Sequence, residues 1–330
     1  MSHEVVCIGN TFAEFLVYGF ADMPPTAQAT SAEQLLMFAG GMAVNTAYSL
    51  GKLGTRSAVI SKLGTGKTSE GIIGLLKGVD HSCFMRSHDV ETPRIVTLVS
   101  RDSSRERRFI VVQHHSSLLR LSDLRTKRSI LETAKLIHFG DVGNIPAVEE
   151  AEVVGFLRDL KSKNKDLVIT ADIAALDRIK DERVQKSLIP FLSTLDYFLP
   201  SNVEAAMLTG MELDDYEEAA AVLHKRYRVR NVCIKLADQG VYASFDRAID
   251  TVAGNSKIID PFWVNEIKDR TGCGDAWCAG FIHGLLNKQD PVTCLALGNA
   301  CASICIRHKG PNGFPVSIDQ LRELTRSRTA

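Results

Sequence analysis

Short apolar runs bounded by polar turns recur along the chain. Val5–Ile8 ends at Gly9-Asn10, and similar runs occupy 57–61, 135–139, 166–171, 196–199 and 231–236. Runs of this length and apolarity read as strands buried on both faces. The stretches near 146–163, 180–193 and 203–226 carry helical spacing instead. Strands alternating with helices predict an α/β protein whose parallel sheet is covered on both sides. Gly40-Gly41 turns the chain into a helix that Gly54 stops, and the turn at 64–68 opens another reaching about Lys77. The C-terminal part reads as helix over 274–287, 291–305 and 317–326. Two places break the alternation. Residues 92–100 and 107–113 are β-rich and flank a polar turn at 101–106, which predicts a hairpin. Residues 241–245 and 248–252 predict a late antiparallel pair, and 21–31, rich in Ala, Thr and Pro, a loop. The expected organisation is one main domain over 1–330, with a small β appendage made from two separated pieces at about 11–20 and 92–113.

Composition narrows the function. With 330 residues and 45% apolar content the chain can bury a sizeable core. Lys+Arg and Asp+Glu both number 39. That balance argues against a general nucleic-acid or anionic-membrane binder, which carries a basic surplus. Eight cysteines, at 7, 83, 233, 273, 278, 294, 301 and 305, form no C-x-x-C, so neither a zinc ribbon nor a redox pair is indicated. They fit reduced, buried thiols of a cytosolic enzyme. No charged n-region with a long apolar segment opens the chain, and no apolar run is long enough to span a bilayer. A cytoplasmic location with no membrane partner is therefore expected.

The densest chemistry lies at Asp269-Arg270-Thr271-Gly272-Cys273-Gly274-Asp275, followed by an apolar, small-residue helix. Glycines expose consecutive N–H groups, and the first helical turn adds unpaired N–H groups and a positive dipole end, so the stretch reads as an anion cradle. A carboxylate at its mouth has a use in phosphoryl transfer, where a base takes the proton of an attacking hydroxyl. A plain Asp cap after a Gly turn is the competing reading. Gly41 and Asn45 pair an open turn with an amide that both donates and accepts, which suits a polyhydroxy ligand or close helix–strand packing. Ser201 or Asn202 caps a helix with Glu204 in its first turn; Glu204 either belongs to that capping or orders waters around a phosphate-bound Mg²⁺. Lys235-Leu236-Ala237-Asp238-Gln239-Gly240 ends a strand in a small-residue turn that suits a nucleotide edge, and Asn299, among small residues of a helix, either faces an adenine or satisfies a core backbone group. Gly64-Thr65-Gly66-Lys67-Thr68 imitates the end of a phosphate-binding P-loop, but Ser61 stands where the first glycine is required. A strand-to-helix turn with a surface lysine is the preferred reading, and a P-loop NTPase using Lys67 is a competing class.

Taken in order along the chain, these features resemble the ribokinase-like carbohydrate kinases of the PfkB family over about residues 4–316. Asp269 to Asp275 is similar to that family's D-T-x-G-A-G-D signature, and the Gly-Gly…Asn element is the second likeness. The resemblance implies a three-layer α/β/α sandwich with a mostly parallel central sheet and a small β-sheet lid. It implies ATP-dependent phosphorylation of a hydroxyl, a primary one, on a small carbohydrate or sugar acid. Under it Asp275 is the base, and Gly272, Cys273 and Gly274 form the anion hole. Glu14, Gly41 and Asn45 bind sugar. Lys235, Ala237 and Gly240 form the ATP-side turn, Asn299 lies near the adenine, and Glu204 acts on Mg²⁺ through water. Asp269 and Thr271, with carbonyls near Cys305, His308 and Gly310, match a loop for a monovalent cation such as K⁺. The lid, from 11–20 and 92–113, covers the sugar and makes a homodimer. Several positions depart from the pattern. Cys273 replaces Ala, Arg270 replaces Thr, Ser201 stands in the place of Asn with Asn202 shifted by one, Glu14 replaces Asp, and Ala237 replaces Gly. Phe12 occupies a place that is Asn in ribokinases, which disfavours ribose and would suit the base of a nucleoside. A nucleoside kinase is the rival within the fold. A non-catalytic sugar or nucleoside sensor is the rival outside it, although a pure binder has no need of the base.

Overall fold

The computed structural model describes residues 3–20, 26–100, 107–174, 176–246, 255–311, 319–321 and 324. In chain order its strands are β1 (Val5–Ile8), β2 (Phe12–Phe20), β3 (Gln34–Gly40), β4 (Ser57–Ile60), β5 (Lys62–Leu63), β6 (Met85–Arg86), β7 (Arg94–Ser100), β8 (Arg107–Val112), β9 (Leu136–Val142), β10 (Val168–Ile173), β11 (Tyr197–Phe198), β12 (Asn231–Lys235), β13 (Val241–Phe245) and β14 (Ser256–Ile259). The helices are α1 (Met42–Lys52), α2 (Lys67–Leu75), α3 (Leu121–Thr126), α4 (Arg128–Thr133), α5 (Val153–Lys163), α6 (Leu176–Ile179), α7 (Glu182–Leu192), α8 (Asn202–Thr209), α9 (Tyr216–Lys225), α10 (Cys273–Leu286) and α11 (Pro291–Cys305).

Eight strands form the main sheet in the order β14-β13-β12-β11-β10-β9-β1-β4. Neighbours from β4 to β12 run parallel, and β13 and β14 add an antiparallel edge. The central strands are apolar on both faces because helices cover both. One face packs α5, α7, α8 and α9 through Leu157, Leu188, Leu208 and Leu223. The other packs α1 and α10 through Val44, Ala47, Leu50, Ala279 and Ile282, with α11 alongside α10. Helix α5 shows the cause: Val153, Phe156, Leu157 and Leu160 are its buried residues, the one-sided spacing of an amphipathic helix. The C-terminal ends of β1, β9, β10 and β12 therefore meet the N-terminal ends of α1, α8 and α10 along one edge of the sheet, the edge where open α/β sheets bind ligands.

A second sheet, in the order β3-β2-β7-β8, stands apart from the main one. Its β7–β8 hairpin follows the expected pattern, with Arg94 opposite Val112 and Val99 opposite Arg107. Strand β3 is a third contributor that the two-piece expectation lacked. Its sequence, Gln-Leu-Leu-Met-Phe-Ala-Gly, shows no polar–apolar alternation. Two further points differ from expectation. The stretch 203–226 is two helices, since Gly210 ends α8 in a left-handed conformation at φ 77°. On its side away from β12, β13 pairs antiparallel with β14, a strand the expectation lacked, with Val241 opposite Ile259. Residues 248–252, the turn 101–106 and most of 317–326 lie outside the described residues.

Candidate active site

Helix α10 begins where the main sheet ends. Its N-cap, Gly272, has φ 77°, and an added Cβ there would lie 2.7 Å from Cα of Pro311. Only glycine makes this turn without strain. The Gly274 and Asp275 amides fall in the first helical turn and have no intrahelical acceptor. Asp275, 7% exposed, stands among them. Its Oδ2 accepts a 2.7 Å hydrogen bond from Nδ2 of Asn45, on α1. Burial pushes the Asp275 carboxyl up to about 8; the Asn45 bond opposes this, the Asp172 charge adds to it, Lys235 counters and Glu14 adds a little.

Asn45 is itself placed by a forced turn. Gly41, the N-cap of α1, has φ 114°, and a Cβ on it would collide with the Asn10 carbonyl. The Oδ1 of Asn45 is buried without a hydrogen-bond donor, and so is Oδ1 of Asn10. At the end of β9, Asp141 accepts from Nδ2 of Asn10 at 2.7 Å and from Nδ2 of Asn144 at 2.8 Å. Burial raises its carboxyl to about 6, against the bonds from Asn144 and Asn10. Glu14, from β2, is buried and accepts from Oγ1 of Thr97 at 2.7 Å. Burial raises its carboxyl above the ordinary glutamate value. Two buried amide oxygens in want of donors, beside three carboxyls, make a pocket wall suited to hydroxyl groups.

A second group of charges lies against the other side of Gly274. Lys235 ends β12 and forms an ion pair with Asp172, at the end of β10, their side chains 12% and 2% exposed. Glu204 Oε2 accepts from N of Ser201 at 2.7 Å and from its hydroxyl at 2.8 Å, closing a capping box on α8. Burial lifts the Glu204 carboxyl to about 7, with Asp172 adding and Lys235 and Ser201 opposing.

The other expected positions separate by what they do. Ala237 takes φ 54° in the turn after β12, and Gly240 takes φ 89°, where a Cβ would strike the Ile259 carbonyl. Asn299 is satisfied within the protein: Nδ2 donates to the carbonyls of Ile259 at 3.0 Å and Asp260 at 2.8 Å, and Oδ1 accepts from Trp277 at 2.8 Å. Its amide thus ties the end of β14 to α10, as a residue that satisfies core backbone groups would. Asp269 is fully engaged as well. Its Oδ1 accepts from N and Oγ1 of Thr271 at 2.9 and 2.7 Å, and its Oδ2 from N of Gly310 at 2.8 Å. Cys305 contributes its thiol, 3.7 Å from the Thr271 carbonyl, while its own carbonyl accepts from N of His308 at 3.0 Å. Residues 269, 271, 305, 308 and 310 thus form one hydrogen-bonded knot. Lys67 is exposed at the start of α2, and the amide of Gly64 is taken by Thr92 at 3.1 Å. That turn is no phosphate loop, as Ser61 indicated.

Asp172, Asp141, Asn10 and Arg107 were not foreseen. Arg107, on β8, donates to Oγ1 of Thr271 at 3.5 Å and so joins the small sheet to the knot. Asn10 follows buried β1, and Asp141 and Asp172 lie near the C-terminal ends of buried β9 and β10, the one signal that could have found them. What no local pattern shows is the pairing of Asp172 with Lys235, 63 residues later.

Comparison with known proteins gives this geometry its class. Residues 2–317 match the pfkB family carbohydrate kinase domain, and the chain belongs to that family. It is accordingly a phosphotransferase with an alcohol group as acceptor. The 2-dehydro-3-deoxygluconokinase of Bacillus subtilis (strain 168) is 24% identical over 100% of this chain and 98% of its own length. Fructokinase-2 of Solanum habrochaites is 23% identical over 91% of this chain and 90% of its own. The structure of Arabidopsis thaliana ribokinase complexed with ribose and ATP shares the fold at a TM-score of 0.76, with 18% identity, 98% of this chain and 99% of that one covered. Among the described residues, no helix is long and apolar enough to cross a membrane.

Proposed function

We propose that this protein transfers the γ-phosphate of Mg·ATP to a primary hydroxyl of a small carbohydrate or sugar acid. The observation that carries the reading is a buried carboxyl, Asp275, raised by its surroundings and standing beside the amides of Gly274 and Asp275, which lack an intrahelical acceptor. A group titrating near neutrality is suited to take a hydroxyl proton as the O–P bond forms. The amides of 272–275 and the helix dipole hold the charge on the phosphoryl oxygens. Asn45 fixes the rotamer of Asp275 through one half of its amide and offers the other half to the acceptor. Gly41 keeps the backbone open beside it. Glu14, Asn10 and Asp141 take the remaining hydroxyls, so that one alcohol stands in line. The small sheet, from β2, β3, β7 and β8, acts as a lid that keeps water from competing as acceptor.

Mg²⁺ fits this site through water rather than by direct protein ligation. No group of three or more side chains able to hold a metal directly occurs among the described residues. Glu204 is half-buried with its carboxyl raised, and Oε2 is committed to Ser201; Oε1 would take the water. When bound, the ion neutralises and orients the β- and γ-phosphates. K⁺ fits less well: the oxygens of Asp269 are satisfied by three donors without it. No step proposed here uses a monovalent cation. The turn at Lys235, Ala237 and Gly240 borders the nucleotide. A homodimer forms through the outer face of the lid.

The test is phosphate transfer from Mg·ATP to a panel of pentoses, hexoses, keto-sugar acids and nucleosides, with the product read by mass spectrometry. Phosphorylation of a sugar or sugar acid is the expected outcome. Transfer to nucleosides alone would replace the acceptor class, and transfer to none would overturn the reading.

A further inference from the structure

Lys235 was expected at the nucleotide-side turn. Its ammonium reaches from that turn to the start of α10. Nζ lies 3.5 Å from the point that a Cβ on Gly274 would occupy, so it stands against the amide cradle itself. It is held there by Asp172, whose carboxylate has no freedom of its own. Oδ1 accepts from N of Ile173 at 2.8 Å; Oδ2 accepts from Lys235 and from the thiol of Cys278 at 3.4 Å. The Cys278 sulfur also lies 3.9 Å from Nζ. An ammonium carries three donors; Asp172 takes one and the Cys278 sulfur a second, which leaves one. Burial would push the Lys235 ammonium down, but Asp172, Cys278 and Glu204 more than offset this and hold it charged above the ordinary lysine range.

A buried ion pair is a poor device for stability, because desolvation consumes most of its Coulomb gain. It is a good device for holding one charge at one point. We propose that Asp172 is a positioning residue that clamps Lys235 against Gly274, where the remaining ammonium donor meets the phosphoryl group as it leaves ATP. This inference rests on the kinase reading above. The backbone amides supply fixed partial charges, and Lys235 adds a full one on the same oxygens, which gain charge in transfer. Without the clamp the flexible four-carbon stem would let the ammonium wander, and an aligned donor would become a diffuse one. No covalent bond to Lys235 or Asp172 forms.

Four variants test the clamp: Lys235→Met, Asp172→Asn, Asp172→Glu, and the double variant Lys235→Met with Asp172→Leu. The double variant removes both charges and leaves none stranded, so it folds even where Asp172→Asn leaves a buried ammonium unpaired. Two quantities are read: kcat, and the preference for Mg·AMP-PNP over Mg·ADP by calorimetry. Lys235→Met and Asp172→Asn are each expected to lower kcat about 100-fold and to cut the AMP-PNP preference about tenfold, with ADP affinity unchanged. Asp172→Glu recovers at least tenfold of the kcat lost in Asp172→Asn. The double variant is no slower than Lys235→Met, since both residues act through one contact. The clamp is overturned if Asp172→Asn keeps the wild-type kcat and AMP-PNP preference, or if the double variant multiplies the two single losses. It is also overturned if ADP affinity falls in step with AMP-PNP affinity, the mark of a merely structural pair. If no acceptor is ever phosphorylated, the kinase reading fails by itself, and the two affinities still decide whether Lys235 and Asp172 act together on a γ-phosphate.

Discussion

Asp275 shows what burial does to a single side chain. An aspartate at the surface titrates near pH 4, whereas this one is pushed up to about 8, chiefly by desolvation. The ionised form is the active one, so kcat/KM should rise with pH and level off above a midpoint near 8. The Asn45 hydrogen bond lowers this value. Asn45→Leu should therefore move the midpoint to higher pH, whatever it does to the plateau, and a pH–rate profile of both proteins reads the shift directly. At this scale the sequence was informative where chemistry is encoded locally. The run from Asp269 to Asp275 carried its glycines, its carboxylate and its helix start within seven neighbours, and the structure keeps them together. Asn299 stayed open between two readings for a related reason. Its neighbours identify it as an amide in a small-residue helix, but whether that amide is free depends on Ile259, Asp260 and Trp277, which only the fold brings to it.

The elements follow from pattern and punctuation, and they fail where a special backbone conformation intervenes. Strand β1 and helices α1 and α10 stand close to where periodicity puts them. The single helix expected over 203–226 overlooked Gly210, whose φ of 77° ends α8. Strand β3 was missed because its residues do not alternate: Met37 meets α2 at Gly71, while Phe38 on the other face packs on Gly310. The turn after β12 offers a check on this reasoning. Ala237 has φ 54°, a left-handed conformation that costs a residue with a Cβ on the order of 1–2 kcal/mol. Glycine relieves that cost and adds unfolded-state entropy of roughly 0.5–1 kcal/mol against it. Ala237→Gly should thus stabilise the protein by about 0.5 kcal/mol, seen as a higher urea midpoint at an unchanged slope, with kcat preserved.

The whole molecule is a sheet edge roofed by a second, smaller sheet. The face of that roof carrying Glu14, Thr97 and Arg107 turns toward the site, as the register of β2, β7 and β8 requires. The opposite face carries Val17, Leu35, Val96, Leu98 and Ile110, exposed or half-buried. Apolar residues gathered on one face of a sheet mark an interaction surface. A dimer through it is the expected state, so sedimentation should give twice the chain mass, and Ile110→Arg should give the monomer. The central claim reaches across all three scales: one acidic side chain, set among backbone amides by a forced glycine turn, takes the acceptor's proton. Its most direct test is Asp275→Asn, measured for both turnover and ATP affinity. Losing a general base costs about 10²–10⁴ in rate, so kcat should fall by that factor while calorimetry finds ATP bound as in the wild type. A variant that turned over at the wild-type rate would contradict the account.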